Sequence, residues 1–186
     1  RLHAAAAAED ASRALAFLRA AELYALALDL SREDDRPSLL VPYAQALASA
    51  GRYADAAVAW LEAAARRSGA DAREFRRRAA ECWLYAGRID EGLDLLDMLA
   101  GEVGVRIPQH RWTVWWELVK GQIHLAIRGL GFRPRPSSDT GSAELDRVRT
   151  LGAIAVQYGP LDPFRGAVPT LRYLLAALEL GDRDEL

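Results

Sequence analysis

The side chains of this sequence with the most chemistry to offer are three histidines, one cysteine and one lysine, and their spacing argues against using it. A metal site needs His, Cys or carboxylate groups converging at short intervals. His3 is remote from the other two histidines. His110 and His124 could share a helix, but about four turns, roughly 21 Å of rise, would separate them. Cys82 sits beside Trp83 in an apolar register. A nucleophilic cysteine needs a base and an electropositive setting, so a buried, inert thiol is expected. Lys120-Gly121 reverses the order of a phosphate-binding loop and lacks the hydroxyl that should follow. No His-Arg-Asp or Asp-Phe-Gly of a kinase is present. The expectation is a chain with no catalytic residue, no cofactor and no metal, and so not itself an enzyme.

Two clusters remain. Trp112, Trp115 and Trp116 lie within one or two helical turns of each other. Packing against the fifth and sixth helices is expected. The alternative is a surface anchor for a partner peptide, since tryptophan is over-used at interface hot spots. Arg73, Arg76, Arg77 and Arg78 read as a solvated face, and Arg133 and Arg135, between prolines, as part of a solvated loop.

The formal net charge of −2 lacks the basic excess of a nucleic-acid binder. With Cys82 alone there is no intrachain disulfide, which fits a reducing cytosol. No apolar run reaches a membrane span: Ala4–Ala8 is short and is followed by Glu9 and Asp10. The expected setting is cytoplasmic, without membrane contact. The chain opens on Arg1 and closes on Leu186 in a helical pattern, so a piece of a larger protein is expected.

The elements that must position these groups are helices. Alanine and leucine dominate the apolar half, and no run alternates with period two. One pattern recurs every 36 residues: Phe17, Ala20, Tyr24, Ala27; then Tyr53, Ala56, Trp60, Ala63; then Ile89, Gly92, Leu96, Leu99. Such a period implies stacked helical pairs in which no unit buries its own apolar face. Gly51-Arg52 and Gly87-Arg88 read as tight turns within pairs. Helices are expected over about 2–14, 17–30, 38–50, 53–67, 72–86, 89–101, 109–128, 143–158 and 163–180. Pro42 delays or kinks the third, Gly159-Pro160 breaks the eighth, Pro169 kinks the ninth and Gly181 caps it. Asp162-Pro163 is a helix start, with an N-cap acceptor and proline at the first helical position. Gly121 costs the seventh helix about 1 kcal/mol relative to alanine.

The order glycine, aromatic, alanine, aromatic, alanine resembles the tetratricopeptide repeat. Residues 37–70 carry it best, through Leu40, Tyr43, Ala44, Leu47, Gly51, Tyr53, Ala56, Trp60 and Ala63; residues 73–106 match through Ala79, Ala80, Trp83, Gly87 and Ile89, residues 1–34 through Ala7, Ala8, Ala11, Phe17, Ala20, Tyr24 and Ala27, and the closing proline is absent from all three. The resemblance implies an all-α, right-handed superhelix of antiparallel hairpins. Three repeats would occupy 1–106. A degenerate helical continuation would occupy 107–186, with a Pro/Ser-rich loop at about 131–142. A second resemblance rests on Gly104-Val105-Arg106-Ile107-Pro108, on 128–135 and on Asp162-Pro163-Phe164-Arg165-Gly166. It is to the helical region of large bacterial signalling proteins that carry a serine/threonine kinase and an AAA-type ATPase. None of that machinery maps onto these residues.

In tetratricopeptide solenoids the first helices of successive units line the concave side. That register selects Gln45 and Ser49, then Arg77, Glu81 and Tyr85, then His110, Thr113, Glu117 and Lys120 as a candidate partner groove. The lysine/asparagine clamp used on C-terminal carboxylates is missing at Val41 and Gln45. The expected function is protein–protein interaction, or regulation within a bacterial signalling protein, through a protein or peptide partner or another domain of the same chain. Self-association through exposed ends of the stack is a further option. The alternative of a different class is a region that helps shape a kinase or ATPase nucleotide or substrate site.

Overall fold

A computed structural model describes residues 2–129 and 142–180. Every extended element among them is an α-helix: α1 (Leu2–Arg13), α2 (Phe17–Asp29), α3 (Arg36–Ser49), α4 (Tyr53–Ala65), α5 (Gly69–Tyr85), α6 (Ile89–Glu102), α7 (Arg111–Arg128), α8 (Ser142–Leu161) and α9 (Pro163–Leu180). A 3₁₀ turn at Glu33–Asp35 precedes α3. The all-α expectation holds. Of the segment expected as a loop at 131–142, only Ser142 is described, and it starts α8; Arg133, Arg135 and Gly181 lie outside the described residues. The chain divides into two compact units, 1–95 and 96–186, with the boundary inside α6.

In the first unit each helix packs on the next, α1 on α2, α2 on α3, α3 on α4 and α4 on α5. The recurring residues are what make this possible. Ala20 and Ala56 are fully buried, Gly92 is buried, and the large residues Tyr24 and Trp60 are almost completely covered. Small residues let neighbouring backbones approach, and the large ones fill the space between the pairs. Ala8, Ala44, Leu47, Ala79 and Trp83 complete the core from the other helices.

The turns repeat as closely as the core does. Leu15, Gly51 and Gly87 stand 36 residues apart and all have left-handed backbone, with φ of 59°, 76° and 78°. At each turn the following amide reaches back five residues: Ala16 to Ala11, Arg52 to Leu47 and Arg88 to Trp83, each at 2.9 Å. This pattern satisfies the last carbonyls of one helix while aiming the chain into the next. Glycine adopts the conformation without a Cβ clash at two of the three turns, and Leu15 adopts it at the steric cost glycine avoids.

Pro42 does not delay α3, which runs from Arg36 to Ser49 with Pro37 in its first turn and Pro42 inside. α5 starts at Gly69, earlier than expected, directly after the extended Ser68.

In the second unit α8 and α9 pack along their length and α7 packs on α9. Val148, Leu151, Ile154 and Tyr158 form the buried stripe of α8 at helical spacing, Val168, Leu175, Ala177 and Leu178 are buried on α9, and Val148 packs with Ala177. Gly121 is a packing requirement as well as a propensity cost: a Cβ there would lie 2.2 Å from Leu171 Cδ2. The expected break at Gly159-Pro160 is not found. α8 continues through Pro160 to Leu161, and Asp162 alone separates it from α9. The corner is tight because Gly166 faces Gly159, where an added Cβ would meet backbone at 3.1 Å. Asp162 caps α9 as its sequence implies, its Oδ1 accepting the Arg165 amide at 2.9 Å. α9 likewise runs through Pro169.

Candidate functional site

Five of the groove residues read from the repeat register come together in the first unit. Gln45 and Ser49 on α3 and Arg77, Glu81 and Tyr85 on α5 line a cavity of about 280 Å³. Tyr53 and Trp60 of α4 form part of its wall. Helical spacing explains the gathering: 45 and 49, and 77, 81 and 85, each fall on one face.

The electrostatics of this cavity are internally balanced. Arg77 holds Glu74 through two bonds, Nε to Oε2 at 2.8 Å and Nη2 to Oε1 at 2.9 Å, and reaches Glu81 at 3.3 Å. Arg78 bonds Glu74 at 2.7 Å and lies over the Trp60 ring at 4.9 Å. Burial pushes the Glu74 pKa up, but the bonds from Arg77 and Arg78 outweigh it and hold the group below the ordinary carboxylate value. The arginine run is therefore not a solvated face: Arg73, Arg76, Arg77 and Arg78 are all half-buried. Paired guanidinium and carboxylate groups leave rims that can donate and accept, which suits the backbone of an extended segment. Tyr85 packs on Tyr53 with ring centres 5.2 Å apart and stays 63% exposed, leaving an aromatic face open.

Cys82 lines the same cavity but is buried, and burial first, then Glu81, pushes its thiol up to about 11. A thiol that holds its proton so firmly is a poor nucleophile.

The other four candidates, His110, Thr113, Glu117 and Lys120, follow one another along the start of α7 in the second unit. Thr113 and Glu117 line a cavity of about 650 Å³, whose walls include Ile107, Leu151, Leu175, Arg106, Arg147 and Arg172. Glu117 accepts from Lys120 and, at 2.7 Å, from Arg172. The Lys120 bond, against a burial effect of opposite sign, and then Arg172 hold the Glu117 pKa below the ordinary value. Lys120 itself is exposed. His110 is the exposed residue at the start of α7, where its carbonyl accepts from Thr113 Oγ1 at 2.7 Å.

The sequence reading missed Asp97. Its carboxylate accepts from Tyr158 Oη at 2.5 Å, from Gln109 Nε2 at 2.9 Å and from Arg165 Nη2 at 3.2 Å. Tyr158 is fully buried, so the Asp97 bond satisfies a hydroxyl that water cannot reach. A signal was present: the residues 36 and 72 positions earlier, Leu61 and Ala25, are apolar, and a charge in that register marks a changed environment.

The tryptophans also depart from expectation. Trp112, Trp115 and Trp116 are 82%, 52% and 57% exposed, where burial was expected. Among the described residues no three His, Cys, Asp or Glu side chains gather as a metal site requires. Among the same residues no helix is long and apolar enough to cross a membrane. Comparison of the chain with protein-family models, with curated proteins and with solved structures gives no match.

Proposed function

We propose that this chain is a tetratricopeptide-like region acting by protein–protein interaction or regulation within a larger bacterial signalling protein, without catalysis of its own. In this reading the helical pairs continue as a right-handed superhelix. The concave register holds an extended peptide or a segment of another domain. The parent chain would be cytosolic, which a single buried cysteine suits.

The observation that carries the proposal is the coincidence of two repeats. The buried small and large residues recur every 36 positions, and so does the left-handed turn at Leu15, Gly51 and Gly87. A repeat kept in both core and turn is the hallmark of arrays whose inner helices present a continuous binding face. The cavity under Tyr85 lies in that register and combines an open ring with neutral, hydrogen-bonding rims.

Selection of random displayed peptides against the 186-residue chain tests it. Peptides that bind wild type and lose affinity at least tenfold on Tyr85→Ala and on Arg77→Ala support the groove. Binders indifferent to both changes contradict it. Clear heat on titration with ATP and magnesium would favour the rival reading, a direct contribution to a nucleotide site.

A further inference from the structure

α7 has two apolar faces on opposite sides. One carries Val114, Leu118, Gly121 and Leu125: Val114 is fully buried and Gly121 lies against Leu171 of α9. The other carries Trp112, Trp115, Trp116, Val119, Ile123 and Ile127 at successive helical turns. On this second face Ile123 and Ile127 are 54% and 81% exposed, in addition to the three tryptophans. A helix apolar on both sides belongs in an interior, yet half of this one faces solvent.

We propose that this second face is a two-fold interface, in which α7 of one copy lies antiparallel on α7 of another. Two observations favour a second copy of the chain as the occupant. First, the stripe is graded in size, with its three tryptophans toward the start of the helix and its isoleucines toward the end. Antiparallel pairing sets the tryptophans of one copy over the isoleucines of its partner, so large meets small along the whole contact. A two-fold interface requires this kind of self-complementarity. Second, the area is adequate. Taking about 250 Å² for a tryptophan side chain, the exposed fractions amount to roughly 650 Å² per copy, close to the ~800 Å² per partner of a standard interface. The stripe itself carries no charge that pairing would bury; Arg111, Lys120 and His124 fall outside it. This surface shares no residue with the cavity lined by Tyr85, so either assignment can fail without the other.

Sedimentation equilibrium of the 186-residue chain over a concentration series tests the pairing, with three further samples. Wild type is expected to reach the mass of a dimer in the micromolar range. Trp112→Arg and Ile127→Glu are each expected to be monomeric at the same concentrations, with helicity unchanged because both side chains are exposed, and with the melting temperature of wild type diluted below its dimer range. An equimolar mixture of the two is expected to recover the dimer, because the antiparallel arrangement brings Arg of one chain to Glu of the other. A monomeric wild type, whether or not it sediments with lipid vesicles, overturns the proposal. So does a dimer that Trp112→Arg leaves intact, or a mixture that stays monomeric.

Discussion

Gly92 lies directly beneath Leu84: a Cβ on Gly92 would come within 2.4 Å of Leu84 Cδ2 and 2.7 Å of its Cγ. The residues 36 positions earlier are Ala56 and Ala48, small on both sides of the same register. The third 36-residue repeat therefore trades volume between the two positions. Leucine stands at 84 where the earlier repeat has alanine, and glycine at 92 where it has alanine, so the larger side chain meets the smaller.

The exchange predicts a change of sign. Gly92→Ala should gain about 1 kcal/mol of helix propensity, but overpacking against Leu84 should outweigh it, for a net loss of about 1–2 kcal/mol. In a Leu84→Ala background the same Gly92→Ala change should raise stability. Urea denaturation of the four proteins of this double-mutant cycle measures both. Equal effects in the two backgrounds would show that the two residues are not coupled.

Leu15 holds a left-handed conformation that glycine holds at the two equivalent turns, and its side chain is 73% exposed. Leu15→Gly should therefore stabilise the protein by about 1 kcal/mol, the cost of a Cβ in that region. Gly51→Ala and Gly87→Ala should destabilise by a similar amount although nothing crowds either position. Thermal denaturation ranks the three.

Tyr158→Phe should cost about 1–2 kcal/mol, because it strips one donor from Asp97 while Arg165 and Gln109 remain. It should also alter the alkaline limb of stability. Burial first, and then the bond to Asp97, raises the Tyr158 pKa above its ordinary 10.0. The folded protein keeps this proton at pH values where the unfolded chain releases it. The stabilisation is complete below about pH 10 and declines as pH rises past it. Tyr24, raised by burial and then by Glu9, contributes with the same sign. Tyr158→Phe should make the fall in melting temperature above pH 10 shallower without abolishing it.

How much of this was legible in the sequence follows from what periodicity can encode. The helices and the turns at Gly51 and Gly87 were readable because apolar spacing and turn glycines are local signals. The cap at Asp162 was readable for the same reason. The groove residues Arg77, Glu81 and Tyr85 could be placed beside Gln45 and Ser49 because register fixes which positions share a face. The tryptophans were misjudged because spacing shows that a face is apolar, not that anything covers it. Pro160 was misjudged because one lost hydrogen bond is weak against the packing of α8 on α9 and the glycine contact at the corner. Asp97 was missed because its partners lie 12, 61 and 68 residues away.

If 36 residues form one interchangeable repeat, the array can be lengthened by one. Ala50-Gly51-Arg52 and Ala86-Gly87-Arg88 are identical tripeptides, so a second copy of residues 51–86 inserted after Ala86 meets native sequence at both junctions. Leu84→Ala in the first copy supplies the small neighbour that the second copy's Ala56 needs. The lengthened protein should show a single cooperative urea transition with a steeper denaturant dependence, and with helicity per residue preserved. An insert that adds no helix, leaves the denaturant dependence unchanged or splits the transition would contradict it.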